Sequence, residues 1–314
     1  MVPALVLTAG LATRLRPLSL VRAKAALPVA GVPLIHRILI RLASAGVRDV
    51  VLNLHHLPHT LTAIVGDGSD LGMRIRYSWE TPVLGSAGGP RRAVPLLAQS
   101  GSTFLIVNGD TLTDVDVEAL VADHRRSGAL ATLAVIDNTE PDKYGGVLVD
   151  AEGAVAGFVK RGSPQPSFHF VGVQVAEAAA FASVPPDTPY ETFAALYPAL
   201  MAGRPGCVRA FFSPSEFFDI GTPADYLETS LLLADRERTS LIGRAQVGHG
   251  ARIDRSILWD DVVVGTGSML RECIVTDGVH VPADTSWHGV TIRVATGELA
   301  SGERRIDDLA IASL

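Results

Sequence analysis

The 314-residue sequence has little cysteine, no excess of positive charge and no long apolar run. Its two cysteines, Cys207 and Cys273, lie far apart and match no metal-ligand spacing, which predicts a disulfide-free protein in a reducing compartment such as the cytoplasm. A net charge of −6 excludes a chain whose main partner is nucleic acid or an anionic membrane surface, because both require a basic face. No apolar run approaches the roughly 18 residues of a membrane span.

Lysine is also scarce, since only Lys24, Lys143 and Lys160 occur among the 27 basic residues. Where a chain uses arginine for most of its positive charge, a retained lysine is a candidate for a compact ammonium rather than a planar guanidinium. For any single lysine, chance is an equally good explanation. The 47% of hydrophobic and 19% of charged residues exclude disordered and fibrous classes, and a prior of about 150 residues per domain predicts two domains.

Short apolar runs alternate with helical periodicity through the first half of the chain. The predicted strands cover residues 4–7, 49–54, 74–78, 103–107 and 131–135, and the predicted helices cover 33–45, 57–65 and 117–127. This alternation predicts an α/β fold, with a Rossmann-like, mostly parallel mixed sheet and helices on both faces. Ligands bind beyond the carboxyl ends of the strands in such sheets, so the residues that follow Leu7 and Val107 are the first candidates for a site.

The spacing of the apolar residues changes after residue 236. Aliphatic residues then recur at steps of five or six, at Val247, Ile253, Leu258, Val264, Leu270, Val275 and Val281. This degraded hexapeptide repeat predicts a short β-helix with those residues inward, of some three coils at about 18 residues each. The predicted domains are therefore 1–236 and 237–293, followed by a C-terminal tail, 294–314, that is either packed or frayed.

A cluster of cations follows the first predicted strand. Residues 7–18 read LTAGLATRLRPL, and Arg14, Arg16, Arg22 and Lys24 fall within eleven residues of an otherwise acidic chain. A small-residue loop that leaves a strand lets backbone N–H groups approach an anion, which predicts a phosphate site. Neither the Walker pattern nor the dinucleotide-binding glycine pattern is present. The alternative is an ordinary turn with solvated arginines.

These residues and several later segments resemble the sugar-1-phosphate nucleotidyltransferases, also called nucleotide-sugar pyrophosphorylases. The resemblance covers residues 1–290 and includes, in family order, the LGSAG, NGD, YGGV, FVK and FDIGTPADY segments that begin at residues 84, 108, 144, 158 and 218. It implies a catalytic domain followed by a left-handed β-helix of hexapeptide repeats. The implied reaction is attack of a sugar-phosphate oxygen on the α-phosphorus of a nucleoside triphosphate, with release of pyrophosphate.

The resemblance also implies roles for individual residues. Arg14 would grip the triphosphate and Lys24 would stabilise the α-phosphate during attack, and these two are the candidate catalytic residues. The expected nucleotide-binding residues are Ala9, Gly10, Thr13, Arg14, Gly85, Ser86 and Asn108. The expected sugar-phosphate-binding residues are Gly145, Lys160 and Gly172.

The resemblance implies Mg²⁺ as the cofactor, held by Asp110 and Asp219. Mg²⁺ usually takes one or two carboxylates together with phosphate oxygens, and the two aspartates supply such a pair. Without the resemblance, Asp110 would be interpreted as a turn residue and Asp219 as a helix N-cap.

Two departures from the family pattern affect the expected binding of phosphate and sugar. Ala12 replaces the second glycine of the phosphate loop, and Val159 stands where the family commonly has a glutamate that binds sugar hydroxyls. His169 and Gln174 are candidates to replace that polar contact. Glu80 is expected either to contact the base or to be a surface charge.

The residues of the LGSAG and NGD segments are most similar to those of mannose-1-phosphate guanylyltransferases, and this resemblance favours GTP as the nucleotide. The alternatives are a uridylyl- or other nucleotidyltransferase for another hexose or amino-sugar phosphate, and a non-catalytic regulatory paralogue that binds a nucleotide sugar. Acyl transfer by the β-helix is disfavoured, because it needs a longer prism and a catalytic histidine. The aliphatic edges of the coils predict a homo-oligomer formed through the β-helix.

Overall fold

In the computed structural model, which describes residues 1–314, the chain forms six α-helices and 24 β-strands. The first strands are β1 (Ala4–Leu7), β2 (Pro28–Val29), β3 (Val32–Pro33), β4 (Asp49–Leu54), β5 (Arg74–Trp79), β6 (Thr103–Asn108), β7 (Thr111–Thr113), β8 (Ala131–Asp137), β9 (Gly146–Val149), β10 (Val155–Val159), β11 (Phe168–Glu177), β12 (Val208–Phe212) and β13 (Phe217–Asp219). The helices are α1 (Leu34–Ser44), α2 (Pro58–Val65), α3 (Gly85–Leu97), α4 (Val117–Ser127), α5 (Tyr197–Gly203) and α6 (Pro223–Glu237).

The remaining strands are short and follow α6. They are β14 (Ala245–Val247), β15 (Arg252–Asp254), β16 (Ile257–Leu258), β17 (Val262–Val264), β18 (Met269–Arg271), β19 (Ile274–Val275), β20 (His280–Val281), β21 (Ser286–His288), β22 (Val290–Val294), β23 (Arg304–Ile306) and β24 (Leu309–Ser313). No helix of the structure combines the length and the apolar character needed to cross a membrane.

The chain divides into two compact units. The first contains residues 1–10, 37–58 and 62–218, and the second contains residues 11–36, 59–61 and 219–314. The four cations of the predicted phosphate loop therefore belong to the same unit as the hexapeptide repeats. The predicted domain boundaries at residues 236 and 293 stay a prediction.

The first unit is built on a nine-stranded mixed sheet. Strands β10, β9, β11, β6, β1, β4 and β5 lie side by side in that order, with β8 paired to β11 and β12 paired to β8. Strands β6, β1, β4 and β5 run parallel, whereas β11 is antiparallel to β6, β8 and β9. The predicted α/β fold with a mostly parallel mixed sheet is thus confirmed.

Sequence pattern explains the central elements of this sheet. The first three residues of β1, Ala4 to Val6, are fully buried, as expected for a central parallel strand that is covered on both sides. In α1 the buried positions Leu34, Ile35, Ile38, Leu39 and Leu42 form one helical face. Helix α4 begins at an N-cap, Asp116, whose carboxylate accepts a hydrogen bond from Ala119 N at 2.9 Å, and it ends at Gly128 with φ +62°.

The strands β14 to β22, which follow α6, form the predicted β-helix. Its three faces are β14–β17–β20, β15–β18–β21 and β16–β19–β22, and every neighbouring pair is parallel. Paired residues, such as Val263 and His280, are 17 positions apart rather than the expected 18, because the steps between inward residues mix five with six. Leu258, Val264, Leu270, Val275 and Val281 are buried as predicted.

One expectation for the β-helix differs from the structure, and one open alternative is decided by it. Val247 is 44% exposed rather than inward, because it lies at the end of the Val247–Val264–Val281 column and no coil covers it. Residues 294–314 were expected to be either packed or frayed, and they are packed. Strand β24 pairs with β22, and its Leu309 and Ile311 are buried in the β-helix core.

Candidate active site

Two strand ends meet at the carboxyl edge of the first unit's sheet. Strand β1 is parallel to β6 with Leu7 opposite Asn108, and Gly109 N donates a hydrogen bond to Leu7 O at 2.9 Å. A Cβ at position 109 would lie 2.5 Å from that oxygen, so only glycine allows this approach. The backbone of Ala9 and Gly10 and the half-buried side chains of Asn108 and Asp110 therefore share one edge.

A buried polar network joins this edge to the next two strands. Asn53 Oδ1, at the end of β4, accepts hydrogen bonds from Thr8 N at 2.5 Å and Ala9 N at 3.3 Å. Its Nδ2 donates to Glu80 Oε1 at 2.7 Å, and Glu80 Oε2 accepts from Leu84 N at 2.8 Å. Glu80 is fully buried and is therefore not a surface charge. Its carboxylate joins Asn53, at the end of β4, to the loop that follows β5, and Asn53 in turn holds the loop after β1. The sequence did not predict this role because it depends on the pairing of β4 with β5.

Replacing Glu80 with glutamine tests this network. We expect Glu80→Gln to lower the free energy of unfolding by about 1–3 kcal/mol, because an amide NH2 cannot accept the hydrogen bond that one carboxylate oxygen now accepts. Urea unfolding measures the change. The matched control is Glu152→Gln at an exposed glutamate, which should leave stability unchanged. An equal effect of the two substitutions would contradict the structural role of Glu80.

Gly85 and Ser86 begin helix α3 against residues 190–192. Gly85 has φ +74°, and a Cβ there would lie 2.5 Å from Glu191 Oε1. The Ser86 hydroxyl donates to Glu191 Oε2 at 2.5 Å and itself accepts from Thr192 N at 2.9 Å. The glycine is thus required by the neighbouring backbone and by Glu191. Nucleotide binding by Gly85 and Ser86 stays a prediction.

The part of the predicted phosphate loop that carries the cations lies in the second unit and contains three short 3-10 turns, Thr13–Leu15, Leu18–Leu20 and Lys24–Ala26. Ala12 occupies the left-handed region, with φ 46° and ψ 48°, at the position where the family pattern has glycine. The hydroxyl of Ser19 donates to Ala12 O at 2.9 Å and helps to hold this conformation. Thr13 and Arg14 are exposed, and Lys24 is half-buried between the buried Ala23 and Ala25.

Three charged side chains of the second unit lie close to Gly221. The position that a Cβ would occupy at Gly221 lies 3.0 Å from Asp219 Oδ2, 3.2 Å from Asp225 Oδ2 and 3.5 Å from Arg14 Nη1. The absence of a side chain at Gly221 therefore lets a candidate metal ligand, Asp219, lie close to the candidate triphosphate ligand, Arg14.

One of the four loop cations does not match the expectation of a phosphate ligand. Arg22 is bound to two aspartates of the β-helix, with Nε and Nη2 donating to Asp277 at 2.7 and 2.6 Å and Nη2 donating to Asp260 at 2.8 Å. Only 17% of its side chain is exposed. Because both carboxylates bind the guanidinium, the loop cations that stay candidates for an anion site are Arg14, Arg16 and Lys24.

The predicted sugar-phosphate residues lie around the antiparallel strands of the first unit. A Cβ at Gly145 would lie 3.0 Å from Val159 O and 3.8 Å from Arg161 N, so Gly145 is beside the segment that carries the exposed Lys160. Gly172 has φ +84°, and a Cβ there would lie 2.5 Å from Thr111 Oγ1 and 3.1 Å from Asn108 Cβ. Gly172 therefore makes room for Asn108.

His169 lies in an aromatic cluster of the same region. Its ring centroid is 4.3 Å from that of Tyr144 and 4.6 Å from that of Phe217. Burial lowers the pKa of His169 to about 4, although the backbone of Gly145 acts in the opposite direction. The other candidate for sugar contact, Gln174, is buried and accepts a hydrogen bond from the hydroxyl of Tyr197, so it does not face an open site.

The lowered pKa of His169 predicts a loss of stability in acid. Above pH 6.5 the histidine is neutral in both folded and unfolded protein; as the pH falls from 6.5 toward 4, only the unfolded chain gains the proton. We expect a loss of about 2 kcal/mol over this range, after allowance for partial exposure. Thermal melts should show that His169→Phe removes this part of the pH dependence, whereas His249→Asn at an exposed histidine does not. Parallel curves for wild type and His169→Phe would contradict it.

Comparison with known proteins identifies the family. Residues 3–236 match the family described as Nucleotidyl transferase, and residues 233–290 match the GlmU-like, C-terminal hexapeptide family. A mannose-1-phosphate guanylyltransferase of Mycobacterium tuberculosis is 31% identical over 295 residues, covering 90% of this chain and 82% of that protein. A UTP–glucose-1-phosphate uridylyltransferase of Synechocystis is 28% identical, covering 88% and 76%.

A solved structure shows the same fold. HddC from Yersinia pseudotuberculosis, crystallised with GMP-PN, superposes with a TM-score of 0.65 at 21% identity and covers 74% of this chain and all of HddC. The family match covers most of the chain, and the sequence relatives are covered over more than two thirds of their own length. The chain therefore belongs to the nucleotidyl transferase family of enzymes.

Proposed function

We propose that this enzyme joins a nucleoside triphosphate to a sugar-1-phosphate, giving a nucleotide sugar and pyrophosphate. The observation that carries the proposal is the pairing of β1 with β6, which brings the backbone of Ala9 and Gly10 to the same sheet edge as Asn108 and Asp110. This is the edge where open α/β sheets bind ligands. The names of the relatives, which include guanylyl- and uridylyltransferases of sugar-1-phosphates, support the same class of reaction.

The proposed roles follow the charges that the reaction must stabilise. Two anionic substrates repel each other, and negative charge builds on the α- and β-phosphates when pyrophosphate leaves. We assign Arg14 to the triphosphate, Lys24 to the α-phosphate and Lys160 to the phosphate of the sugar. The exposure of Arg14 and Lys160 supports these roles, because their cationic groups are accessible to anionic substrates.

We propose that the nucleotide is bound mainly by backbone groups and small side chains, together with Arg14. The proposed residues are Ala9, Gly10, Thr13, Arg14, Gly85, Ser86 and Asn108. We assign Gly145 and Gly172 to the sugar side together with Lys160. The proximity of Gly145 to Val159 and Arg161 supports this grouping. Because Val159 supplies no carboxylate for sugar hydroxyls, we propose that the aromatic cluster of His169, Tyr144 and Phe217 contributes to sugar selection.

We propose Asp110 and Asp219 as the residues that hold Mg²⁺. No group of three or more His, Cys, Asp or Glu side chains that could hold a metal occurs in the structure, but Mg²⁺ needs only one or two carboxylates when phosphates supply the other oxygens. Both aspartates are half-buried, and each follows or ends a strand, so their chemistry fits this ion. When bound, Mg²⁺ would neutralise charge on the phosphate oxygens.

GTP and mannose-1-phosphate are the proposed substrates. The residues of the LGSAG and NGD segments and the relative from Mycobacterium tuberculosis support these substrates. The relative from Synechocystis supports a second candidate, uridylyl transfer to another hexose phosphate. A panel assay decides between them. Pyrophosphate release would be measured with Mg²⁺ for ATP, GTP, CTP, UTP and dTTP, each paired with mannose-, glucose-, galactose- and N-acetylglucosamine-1-phosphate.

We expect release that depends on one sugar phosphate and is fastest with GTP. Fastest release with UTP would support the second candidate. If no pair of substrates gives pyrophosphate release, and the folded protein still binds a nucleotide sugar, the enzymatic proposal is overturned in favour of a regulatory paralogue.

We further propose a cytoplasmic homo-oligomer that assembles through the β-helix. The two cysteines are free and buried, which is consistent with a reducing compartment. Val247 on β14 and Met269 on β18 are 44% and 40% exposed, so the β-helix has apolar side chains available for contact with a second subunit. Gel filtration at micromolar concentration should give at least a dimer mass, and a monomer mass would contradict the proposal.

A further inference from the structure

The segment that carries Lys24 is attached to the β-helix by an ion pair. Asp260 and Asp277 are 17 residues apart, which is one coil, and both accept hydrogen bonds from the guanidinium of Arg22. The contact with Asp277 is bidentate, the geometry in which arginine binds carboxylate most strongly. Asp277 Oδ1 also accepts a hydrogen bond from Asp260 N at 3.0 Å, which orients the carboxylate toward Arg22.

Aromatic contacts complete the attachment. The guanidinium of Arg22 lies 5.2 Å from the ring centroid of the buried Trp259, within cation–π range. Trp259 Nε1 donates a hydrogen bond to the hydroxyl of Tyr226 at 3.0 Å, and that hydroxyl donates to Pro28 O at 2.6 Å. The segment 22–28 is thus fixed at both ends by the β-helix and helix α6.

Lys24 lies between these two fixed points. The neighbouring Ala23 N donates to the hydroxyl of Thr60 at 3.1 Å, and Ala25 and Ala26 are buried. A lysine on this segment has little backbone freedom as long as Arg22 and Pro28 are held. Burial lowers the pKa of Arg22, but the hydrogen bonds that it donates to Asp277 and Asp260 raise the pKa by more. The pKa therefore lies above its ordinary value, and the guanidinium stays charged at any assay pH.

We propose that Arg22 is a positioning residue and that the β-helix, through Asp277 and Asp260, sets the position of Lys24 for phosphate chemistry. The inference rests on the proposed function, because it assigns a catalytic consequence to Lys24. In this proposal the hexapeptide repeats position a residue of their own chain, in addition to the subunit contact proposed above. It also explains why Arg22 is absent from the set of loop cations that are available to substrate.

Two substitutions test the proposal in the full-length protein. Arg22→Met keeps an apolar stem over Trp259 and removes the ion pair, and Asp277→Asn weakens the same pair from the β-helix side. We expect each to lower kcat about 30-fold with less than a threefold change in KM for the sugar phosphate, because small misplacements of a catalytic group reduce the rate strongly. The double variant should be no slower than Arg22→Met alone, since both changes remove one contact.

Arg244→Met is the matched control. Arg244 is an exposed arginine whose Nε lies 3.4 Å from Asp260 Oδ1, and its removal leaves the contact between Arg22 and Asp277 intact. We expect its kcat to equal that of wild type. A loss in Arg22→Met without a loss in Asp277→Asn would indicate that Arg22 binds substrate directly, and would overturn the proposal.

Hydrogen–deuterium exchange supplies a readout that does not depend on activity. Peptides that cover residues 22–28 should exchange at least tenfold faster in Asp277→Asn than in wild type, at a temperature where thermal melts show both to be folded. Unchanged exchange would overturn the proposal. Inactive wild-type enzyme combined with faster exchange in Asp277→Asn would contradict the proposed function alone, so the two failures are distinguishable.

Discussion

Asp110→Asn is expected to lower turnover by about 10³-fold and to leave the fold intact. The asparagine keeps the size of the side chain but loses one anionic oxygen ligand, and metal or electrostatic stabilisation of transferring phosphates contributes several kcal/mol to such reactions. Asp110 is half-buried at the carboxyl edge of the sheet, next to Gly109, whose backbone is fixed against Leu7. The loss would be measured as pyrophosphate release at saturating substrates over a range of Mg²⁺ concentrations.

The control for this substitution is Asp137→Asn, at the exposed end of β8. It changes the same net charge and should leave kcat within about twofold of wild type, because exposed surface charges contribute little. Asp219→Asn should reproduce the loss seen for Asp110→Asn, since the proposal assigns both carboxylates to one ion. Turnover that survives in Asp110→Asn, with a thermal melt like that of wild type, would remove Asp110 from the metal site.

The regular elements were predictable because their signals are local. Strand β4 occupies residues 49–54, as its apolar run predicts, and helix α4 occupies 117–127 between an N-cap aspartate and a terminal glycine. The β-helix was predictable from the spacing of its aliphatic residues. The length of its coil was predictable from the same spacing, because any three consecutive steps sum to 17, which is the separation of the paired residues; the expectation of about 18 followed the regular hexapeptide instead.

The partners of charged side chains were not predictable in the same way. Arg22 has the spacing of a phosphate-loop cation, yet its partners Asp260 and Asp277 lie more than 230 residues later in the sequence. Glu80 could be a base contact or a surface charge by sequence, whereas its burial depends on the meeting of β4, β5 and the start of α3. Such pairs are decided by tertiary packing, which no local pattern encodes.

The loop conformation at Ala12 shows a further limit of sequence reasoning. The family pattern predicts glycine there, and the backbone does adopt the left-handed region with an alanine in place. This conformation costs an alanine about 1–2 kcal/mol relative to glycine, and the surrounding contacts must offset it. The hydroxyl of Ser19 on the carbonyl of Ala12 is one of these contacts, and it could not be inferred from the substitution alone.

Glu303→Ala is expected to lower the free energy of unfolding of the β-helix by about 3–5 kcal/mol, because it leaves a buried guanidinium without its counter-charge. Arg293 and Glu303 are 3% and 0% exposed, and two hydrogen bonds of 2.7 and 2.6 Å join them. Arg293 also donates to the carbonyl oxygens of Val294, Thr296 and Glu298, so the pair organises the loop between β22 and β23.

The double variant Arg293→Met/Glu303→Leu separates the cost of an unpaired charge from the value of the pair. It removes both charges and keeps much of the buried volume, so we expect it to recover most of the stability that Glu303→Ala loses. Tryptophan fluorescence during urea unfolding is a suitable measurement, because Trp259 and Trp287 both lie in the repeats. A double variant as unstable as Glu303→Ala would show that the hydrogen bonds to the loop carbonyls, rather than charge neutralisation, stabilise this end of the β-helix.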